Sequence, residues 1–136
     1  MFGEEMKKTV KQLVEDANTR IDTLTIEEAL ALHGKEGTTF VDIRDVRELE
    51  RDGQVPGAVH APRGMLEFWI DPESPYHRDV FATGNRMVFF CAAGWRSALA
   101  TDTARNMGLE NICHIEGGFK AWKEADGPIE ERKPRS

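Results

Sequence analysis

The sequence contains very few cysteines: only Cys91 and Cys113 occur among its 136 residues. Two cysteines cannot build the multiple disulfides that hold small secreted domains together. The histidines are also scattered singly, and no cysteine or histidine spacing is typical of a zinc site; they are His33, His60, His77 and His114. The sequence therefore excludes a disulfide scaffold and gives no indication of a metal or another cofactor.

An excess of positive charge is also missing. The chain has 18 lysines and arginines against 24 acidic residues, a net charge of −6, which argues against a nucleic-acid or anionic-membrane partner. No apolar run approaches the roughly 20 residues needed to cross a bilayer. Residues 1–5 lack the basic and apolar regions of a secretory signal. We therefore expect a cytoplasmic protein, in a reducing compartment that suits a reactive thiol.

What the sequence does contain is an alternation of strand and helix patterns. Strands are predicted at residues 38–43, 58–61, 86–90 and 111–115, and helices at 26–32, 45–51, 63–70, 97–107 and 119–125. The chain length fits one domain without internal repeats. The alternation predicts an α/β fold with three layers: a mostly parallel central sheet of about five strands with helices on both faces.

The two ends of the chain differ from this pattern. Residues 2–17 carry apolar side chains near a 3.6-residue period and predict an amphipathic helix, which either packs on its own domain or forms a homodimer contact. Residues 129–136 are charged and contain proline, which predicts a disordered tail. We thus divide the chain into a helical extension at 1–21, one domain at 22–128 and a tail at 129–136.

Cys91 stands at a strand-to-helix turn. The apolar strand at residues 86–90 runs into Cys91, and a glycine-containing segment then leads into a helix. Backbone N–H groups and a helix N-terminus both favour an anion, so this position favours a nucleophilic thiolate. The alternative is an inert buried cysteine, since free cysteines are often buried.

Four segments together resemble rhodanese-like sulfurtransferases. Cys91 followed by four residues, Arg96 and Ser97 resembles the active-site loop of that family. Other motifs of the family are resembled by the segments at 41–44, 55–59 and 117–122, and all four segments follow the order and spacing of the family. Residues 22–128 are therefore identified as a member of this family. The resemblance implies a three-layer rhodanese-like fold.

The resemblance also implies a reaction. Cys91 would take a sulfane sulfur from thiosulfate or another persulfide donor and pass it to a thiol or cyanide acceptor. The active-site loop would hold that sulfur with its backbone amides; its residues are Ala92, Ala93, Gly94, Trp95, Arg96 and Ser97.

Charged side chains near the loop are expected to support it. Asp42 is predicted to anchor a loop. Arg44 either pairs with Glu48 or supports the site from behind. Arg96 would neutralise an incoming anion or brace the loop through a carboxylate such as Asp42 or Glu48. Cys113, in the middle of a predicted strand, is expected to pack in the core.

Three other functions stay open at this stage. A phosphatase or arsenate reductase relative would have five residues between cysteine and arginine, whereas this loop has four. Because one residue adds about 3.5 Å of contour, the shorter loop favours sulfur over a phosphate-sized group. The second alternative is a non-catalytic module that binds or senses, and the third is a redox pair of Cys91 and Cys113.

Overall fold

A five-stranded sheet lies at the centre of the fold in the computed structural model, which describes residues 6–134. All its strands pair in parallel, in the order β1-β5-β4-β2-β3. They are β1 (Asp22–Leu24), β2 (Thr38–Asp42), β3 (Val59–His60), β4 (Arg86–Phe90) and β5 (Ile112–Ile115). The predicted α/β fold with a parallel sheet of about five strands is confirmed.

The helices alternate with these strands. They are α1 (Val10–Asn18), α2 (Ile26–Leu32), α3 (Val46–Asp52), α4 (Leu66–Ile70), α5 (Trp95–Met107) and α6 (Gly118–Glu124), with 3-10 turns at Arg63–Met65 and Asp79–Ala82. A capping box begins each of the first three helices at Thr9, Thr25 and Asp45. These side chains accept hydrogen bonds from first-turn N–H groups that would otherwise lack an acceptor.

Both faces of the sheet are buried. Along β4, Met87 and Phe89 pack in a cluster with α4 and α5 side chains, whereas Val88 and Phe90 pack with α2 and α6 side chains. Because both sets of alternating positions are buried, the strand is apolar throughout, as is usual in parallel sheets. Because the strands are parallel, the carboxyl ends of all five lie along the same edge of the sheet.

The N-terminal helix is shorter than predicted. Its capping box at Thr9 makes Val10 the first helical residue, so residues 6–8 are not helical; the predicted start at residue 2 lies outside the described residues. Val14 and Ala17 pack against Ala98 of α5. Part of its apolar stripe thus packs on its own domain, while Met6, Val10 and Leu13 are exposed.

Two further elements differ from the sequence expectations. The strand β1 was not predicted, because it has only three residues and a single buried side chain. Glu130, assigned above to a disordered tail, exchanges two backbone hydrogen bonds of 2.9 Å with Gln54 and so is held to the domain. Within residues 6–134, no helix is long and apolar enough to span a membrane.

Candidate active site

Cys91 follows the last residue of β4, and its side chain is only 1% exposed. Its sulfur accepts hydrogen bonds from the backbone N–H of Gly94 at 3.1 Å and of Ser97 at 3.3 Å. Gly94 lies just before α5, and Ser97 lies in the first turn of that helix. Contacts of this kind can stabilise a negative charge on sulfur.

The loop leads directly into the longest described helix. Gly94 precedes the first residue of α5 and has a φ of 112°, a left-handed conformation that favours glycine. The N–H groups of Trp95 and Arg96 lie in the first turn, where no intrahelical acceptor exists. The N-terminus of this helix therefore adds a favourable field for an anion at the loop.

The base of the loop is held by α6. The N–H of Phe119 donates to the carbonyl of Cys91 at 2.8 Å, and that of Lys120 donates to Ala92 at 3.0 Å. A Cβ on Gly118 would lie 2.5 Å from the Cys91 carbonyl oxygen, so only glycine allows this approach. Two sequence motifs far apart in the chain thus form one structural unit.

Arg96 ties α5 to α3 through Glu48. Its two terminal nitrogens donate to the two carboxylate oxygens of Glu48 at 2.7 and 2.9 Å. This hydrogen bonding is the main cause that raises the pKa of Arg96 and lowers the pKa of Glu48. Asp42 and Glu48 were the two carboxylates expected to contact Arg96, and Glu48 is the one that does so.

Asp42 and Arg44 form a buried ion pair with each other. Arg44 Nη2 lies 2.8 Å from Asp42 Oδ2, and both side chains are almost fully buried. Arg44 also donates to the carbonyl of Gly53 at 2.9 Å and lies 4.1 Å from the centre of the Phe119 ring. The predicted Arg44–Glu48 pair is wrong, because Glu48 is taken by Arg96.

The contacts of Asp42 and Arg44 join three elements near the active-site loop. Among the described hydrogen bonds, neither Asp42 nor Arg44 contacts Cys91 or residues 92–97. Their pair connects the end of β2 to the end of α3 and to the first turn of α6.

Sequence reasoning missed His114 and Thr23, which extend a polar chain from Ser97 at the sulfur. Ser97 Oγ lies 3.6 Å from Cys91 Sγ and 2.9 Å from His114 Nδ1. His114 Nε2 lies 3.2 Å from Thr23 Oγ1. Burial lowers the pKa of His114 to about 4, so this histidine is neutral at pH 7. Its signal in the sequence is a histidine inside an apolar strand, where a buried ring needs polar partners.

A cleft of about 440 Å³ opens beside the loop, between α1, β1 and the end of β5. Thr23 lines this cleft together with Asn18, Trp95 and Glu116. Trp95 is 52% exposed. The polar chain from Cys91 therefore ends at a hydroxyl that faces solvent.

Cys113 packs in the core, as predicted. It belongs to the cluster on the face of the sheet opposite to that of Cys91, and burial raises the pKa of its thiol. Side chains on opposite faces cannot reach disulfide geometry without backbone movement. The redox pair of the two cysteines is therefore wrong for this fold.

No metal site is evident in residues 6–134, because no three histidine, cysteine, aspartate or glutamate side chains lie close enough together to bind a metal ion.

One family of known proteins matches most of this chain. A family model described as "Rhodanese-like domain" matches residues 25–125. The mouse protein "Thiosulfate sulfurtransferase/rhodanese-like domain-containing protein 3" is 29% identical over 83% of this chain and 74% of its own length.

Two solved structures extend the comparison. A Rhodopseudomonas palustris protein of unknown function, described as a possible tyrosine phosphatase, is 51% identical, with a TM-score of 0.92 over 96% of this chain and all of the other. The "Polysulfide-sulfur Transferase Homodimer" of Wolinella succinogenes is 30% identical, with a TM-score of 0.69 over 98% of this chain and 95% of the other.

Proposed function

This chain belongs to the rhodanese-like domain family, and from that premise we propose that it is a sulfurtransferase in which Cys91 carries the sulfur as a persulfide. Family membership and sulfurtransferase relatives support transfer of sulfur in general. The observation that supports the persulfide is the pair of backbone N–H groups, of Gly94 and Ser97, donating to the Cys91 sulfur. A cysteine that only packs in the core does not require backbone N–H donors at its sulfur.

In the first half-reaction, the Cys91 thiolate attacks the sulfane sulfur of a donor such as thiosulfate. A new S–S bond forms, the donor's S–S bond breaks, and sulfite leaves with the electron pair. The loop amides and the N-terminus of α5 then stabilise the negative terminal sulfur of the persulfide.

In the second half-reaction, a thiolate or cyanide attacks that terminal sulfur. The Cys91 S–S bond breaks, its electron pair returns to the Cys91 sulfur, and the product is a persulfide or thiocyanate. The N–H groups of Gly94 and Ser97 can then stabilise the charge that returns to the Cys91 sulfur. The partners proposed here are a small anionic sulfur donor and a thiol or cyanide acceptor in the cytoplasm.

Phosphate hydrolysis is the second candidate, because the Rhodopseudomonas relative is described as a possible tyrosine phosphatase. Against it stands the loop, in which only four residues separate Cys91 from Arg96. The loop also closes on the sulfur itself, through the 3.1 and 3.3 Å contacts. Because the loop is one residue shorter than a five-residue spacing would make it, it favours one additional sulfur atom over a tetrahedral phosphate.

The test compares Cys91→Ser with Cys113→Ser in thiosulfate–cyanide turnover and in aryl-phosphate hydrolysis. We expect Cys91→Ser to abolish sulfur transfer and Cys113→Ser to keep most of it, with negligible phosphate hydrolysis in every form. Equal losses in the two variants would contradict the role of Cys91. Strong phosphatase activity without sulfur transfer would favour the second candidate, and neither activity would favour a non-catalytic binding module.

A further inference from the structure

His114 has no part in the sulfur-transfer steps above, yet it is buried and bonded at both ring nitrogens. It is 3% exposed, and Ser97 beside it is fully buried. The contacts to Ser97 at 2.9 Å and Thr23 at 3.2 Å use one nitrogen each. In a neutral imidazole one nitrogen donates and the other accepts, so the two contacts fix each other's direction.

We propose, on the basis of the proposed function, that His114 is a positioning residue for sulfur transfer: it acts through Ser97 to control the hydrogen bond that the Cys91 sulfur receives. When Cys91 is a thiolate, Thr23 donates to His114 Nε2, His114 Nδ1–H donates to Ser97 Oγ, and the Ser97 hydroxyl donates to the sulfur. Every hydrogen in the chain then points toward the negative charge.

The opposite tautomer suits the uncharged thiol. The Cys91 S–H then donates to Ser97 Oγ, Ser97 donates to His114 Nδ1, and His114 Nε2–H donates to Thr23. Moving each proton one step along the chain converts one arrangement into the other. Cys91 loses one proton at one end of the chain, and Thr23 releases one proton to water in the cleft at the other end. Water is therefore the only co-reactant.

The surroundings allow the Ser97 hydrogen to reach the sulfur. Its other acceptor is the Gly94 carbonyl at 3.3 Å, which already accepts the N–H of Ala98 at 3.1 Å. A histidine that accepted from Ser97 would take the single hydroxyl hydrogen away from the thiolate. Thus the tautomer of His114 decides whether the sulfur receives a third hydrogen bond.

Among residues 6–134, no charged side chain forms an ion pair with His114. Its strand partners Thr23 and Phe89 and its hydrogen-bond partner Ser97 are uncharged, as are Val14 and Asn18, which line the same cleft. Glu116 lines the same cleft, and Arg96 lies near Cys91 but is paired with Glu48. The histidine is therefore a neutral hydrogen-bonding group at pH 7, which agrees with a pKa lowered by burial alone.

The test measures alkylation of Cys91 by iodoacetamide as a function of pH in the full chain, located by peptide mass mapping. Since only the thiolate reacts, loss of a hydrogen bond to it should move the pH midpoint upward. We expect Ser97→Ala and His114→Leu each to do so, with a rate at pH 7 lower by about tenfold. His114→Asn should retain most of the rate, because its amide N–H can replace Nδ1–H.

Two controls separate positioning from folding. Thr101→Val removes another fully buried hydroxyl of α5, one that has no partner among the described residues, and it should leave the midpoint unchanged. The double variant Ser97→Ala/His114→Leu should equal Ser97→Ala alone, because the histidine acts only through the serine. Independent, additive effects would overturn the proposal.

If His114→Leu does not fold, Thr23→Val tests the role of the polar chain instead. Thr23 is exposed, so we expect its replacement to leave the fold intact. It should raise the midpoint in the same direction, and an unchanged midpoint would overturn the proposal. Alkylation requires no sulfur donor. Absence of sulfur uptake in the unmodified protein would therefore contradict the proposed function, and an unshifted midpoint would contradict the role of His114 separately.

Discussion

At the scale of single residues, charge around Cys91 is arranged in pairs. Arg96 is neutralised by Glu48, and Arg44 by Asp42, while Ala92 and Ala93 carry no charge. The groups that contact the sulfur directly are therefore uncharged: the backbone amides of Gly94 and Ser97 and the Ser97 hydroxyl. Because Arg44 and Arg96 are both paired, we expect backbone geometry to matter more than side-chain charge.

Comparing Arg96→Ala with Glu48→Gln separates bracing of the loop from direct attraction of the donor. Both variants break the bidentate contact between α3 and α5. Loss of one charge-assisted contact typically costs about 1.5–3 kcal/mol, so each variant should lower kcat/KM with thiosulfate by about tenfold or more. The measurement is steady-state kinetics.

The two outcomes differ in the glutamate variant, which leaves the positive charge of Arg96 in place. Bracing predicts similar losses in both variants. If Glu48→Gln kept full activity while Arg96→Ala lost it, Arg96 would act on the donor and bracing would be wrong.

The position of Cys91 between a strand and a helix was predictable at this scale, because the residues of β4, the loop and α5 are contiguous in sequence. The partners of the charged side chains were not. Arg44 and Glu48 are four residues apart, which suggested a local pair, but Asp42 takes Arg44 and a residue 48 positions away takes Glu48. His114 was missed for a related reason: its partners, Ser97 and Thr23, lie on other elements.

At the scale of elements, the active-site loop depends on α6 for its support. Replacing Gly118 with alanine would place a Cβ 2.5 Å from one backbone carbonyl oxygen and 2.9 Å from the next carbonyl group. We expect Gly118→Ala to lower the melting temperature and to impair sulfur transfer beyond that loss, because the clash displaces the carbonyls of Cys91 and Ala92.

Gly84→Ala is the matched control for this variant. Gly84 has a φ of 80°, also left-handed, but no atom lies within 4 Å of the added Cβ. It should therefore show only the cost of the backbone conformation, about 1 kcal/mol, with normal turnover. Equal effects of the two substitutions on turnover would show that the contact with α6 is unimportant for the loop.

Loop length can be tested by inserting one glycine after Ala93. The insertion adds about 3.5 Å of contour and loosens the contacts of Gly94 and Ser97 with the sulfur. We expect weaker sulfur transfer, measured with thiosulfate and cyanide beside aryl-phosphate hydrolysis. An insertion after Gly84, in the turn before β4 and outside the active-site loop, is the control. Unchanged sulfur transfer after the loop insertion would contradict the role of loop length.

Elements with a clear pattern were predictable from sequence, and short ones were not. The helix α2 has the predicted limits because Thr25 and Glu28 form the expected capping box. The helix α1 begins later than its apolar period suggested, because the period says nothing about the capping box at Thr9. The strand β1 is set by pairing with β5, a tertiary contact that three residues cannot reveal.

At the scale of the whole molecule, the buried His114 links stability to pH. Burial lowers its pKa from 6.5 to about 4, so between these values the unfolded chain binds a proton that the folded chain does not. Stability should therefore fall as the pH drops from about 6.5 to 4, by on the order of 3 kcal/mol from this group. Urea unfolding across this range measures the loss.

His114→Leu removes this titration and should flatten the dependence of the unfolding free energy on pH in that window. Acidic groups whose pKa is lowered in the fold, such as Glu48 and Asp102, contribute mainly at lower pH and in both forms. An identical slope between pH 6.5 and 4 in the two proteins would contradict the neutral, buried state of His114.

The intact mass of the protein after incubation with thiosulfate shows whether Cys91 holds a transferable sulfur. We expect a gain of one sulfur atom per chain, located at Cys91 by peptide mapping, removed by cyanide and absent in Cys91→Ser. An unchanged mass with thiosulfate and with polysulfide, or a sulfur located at Cys113, would contradict it.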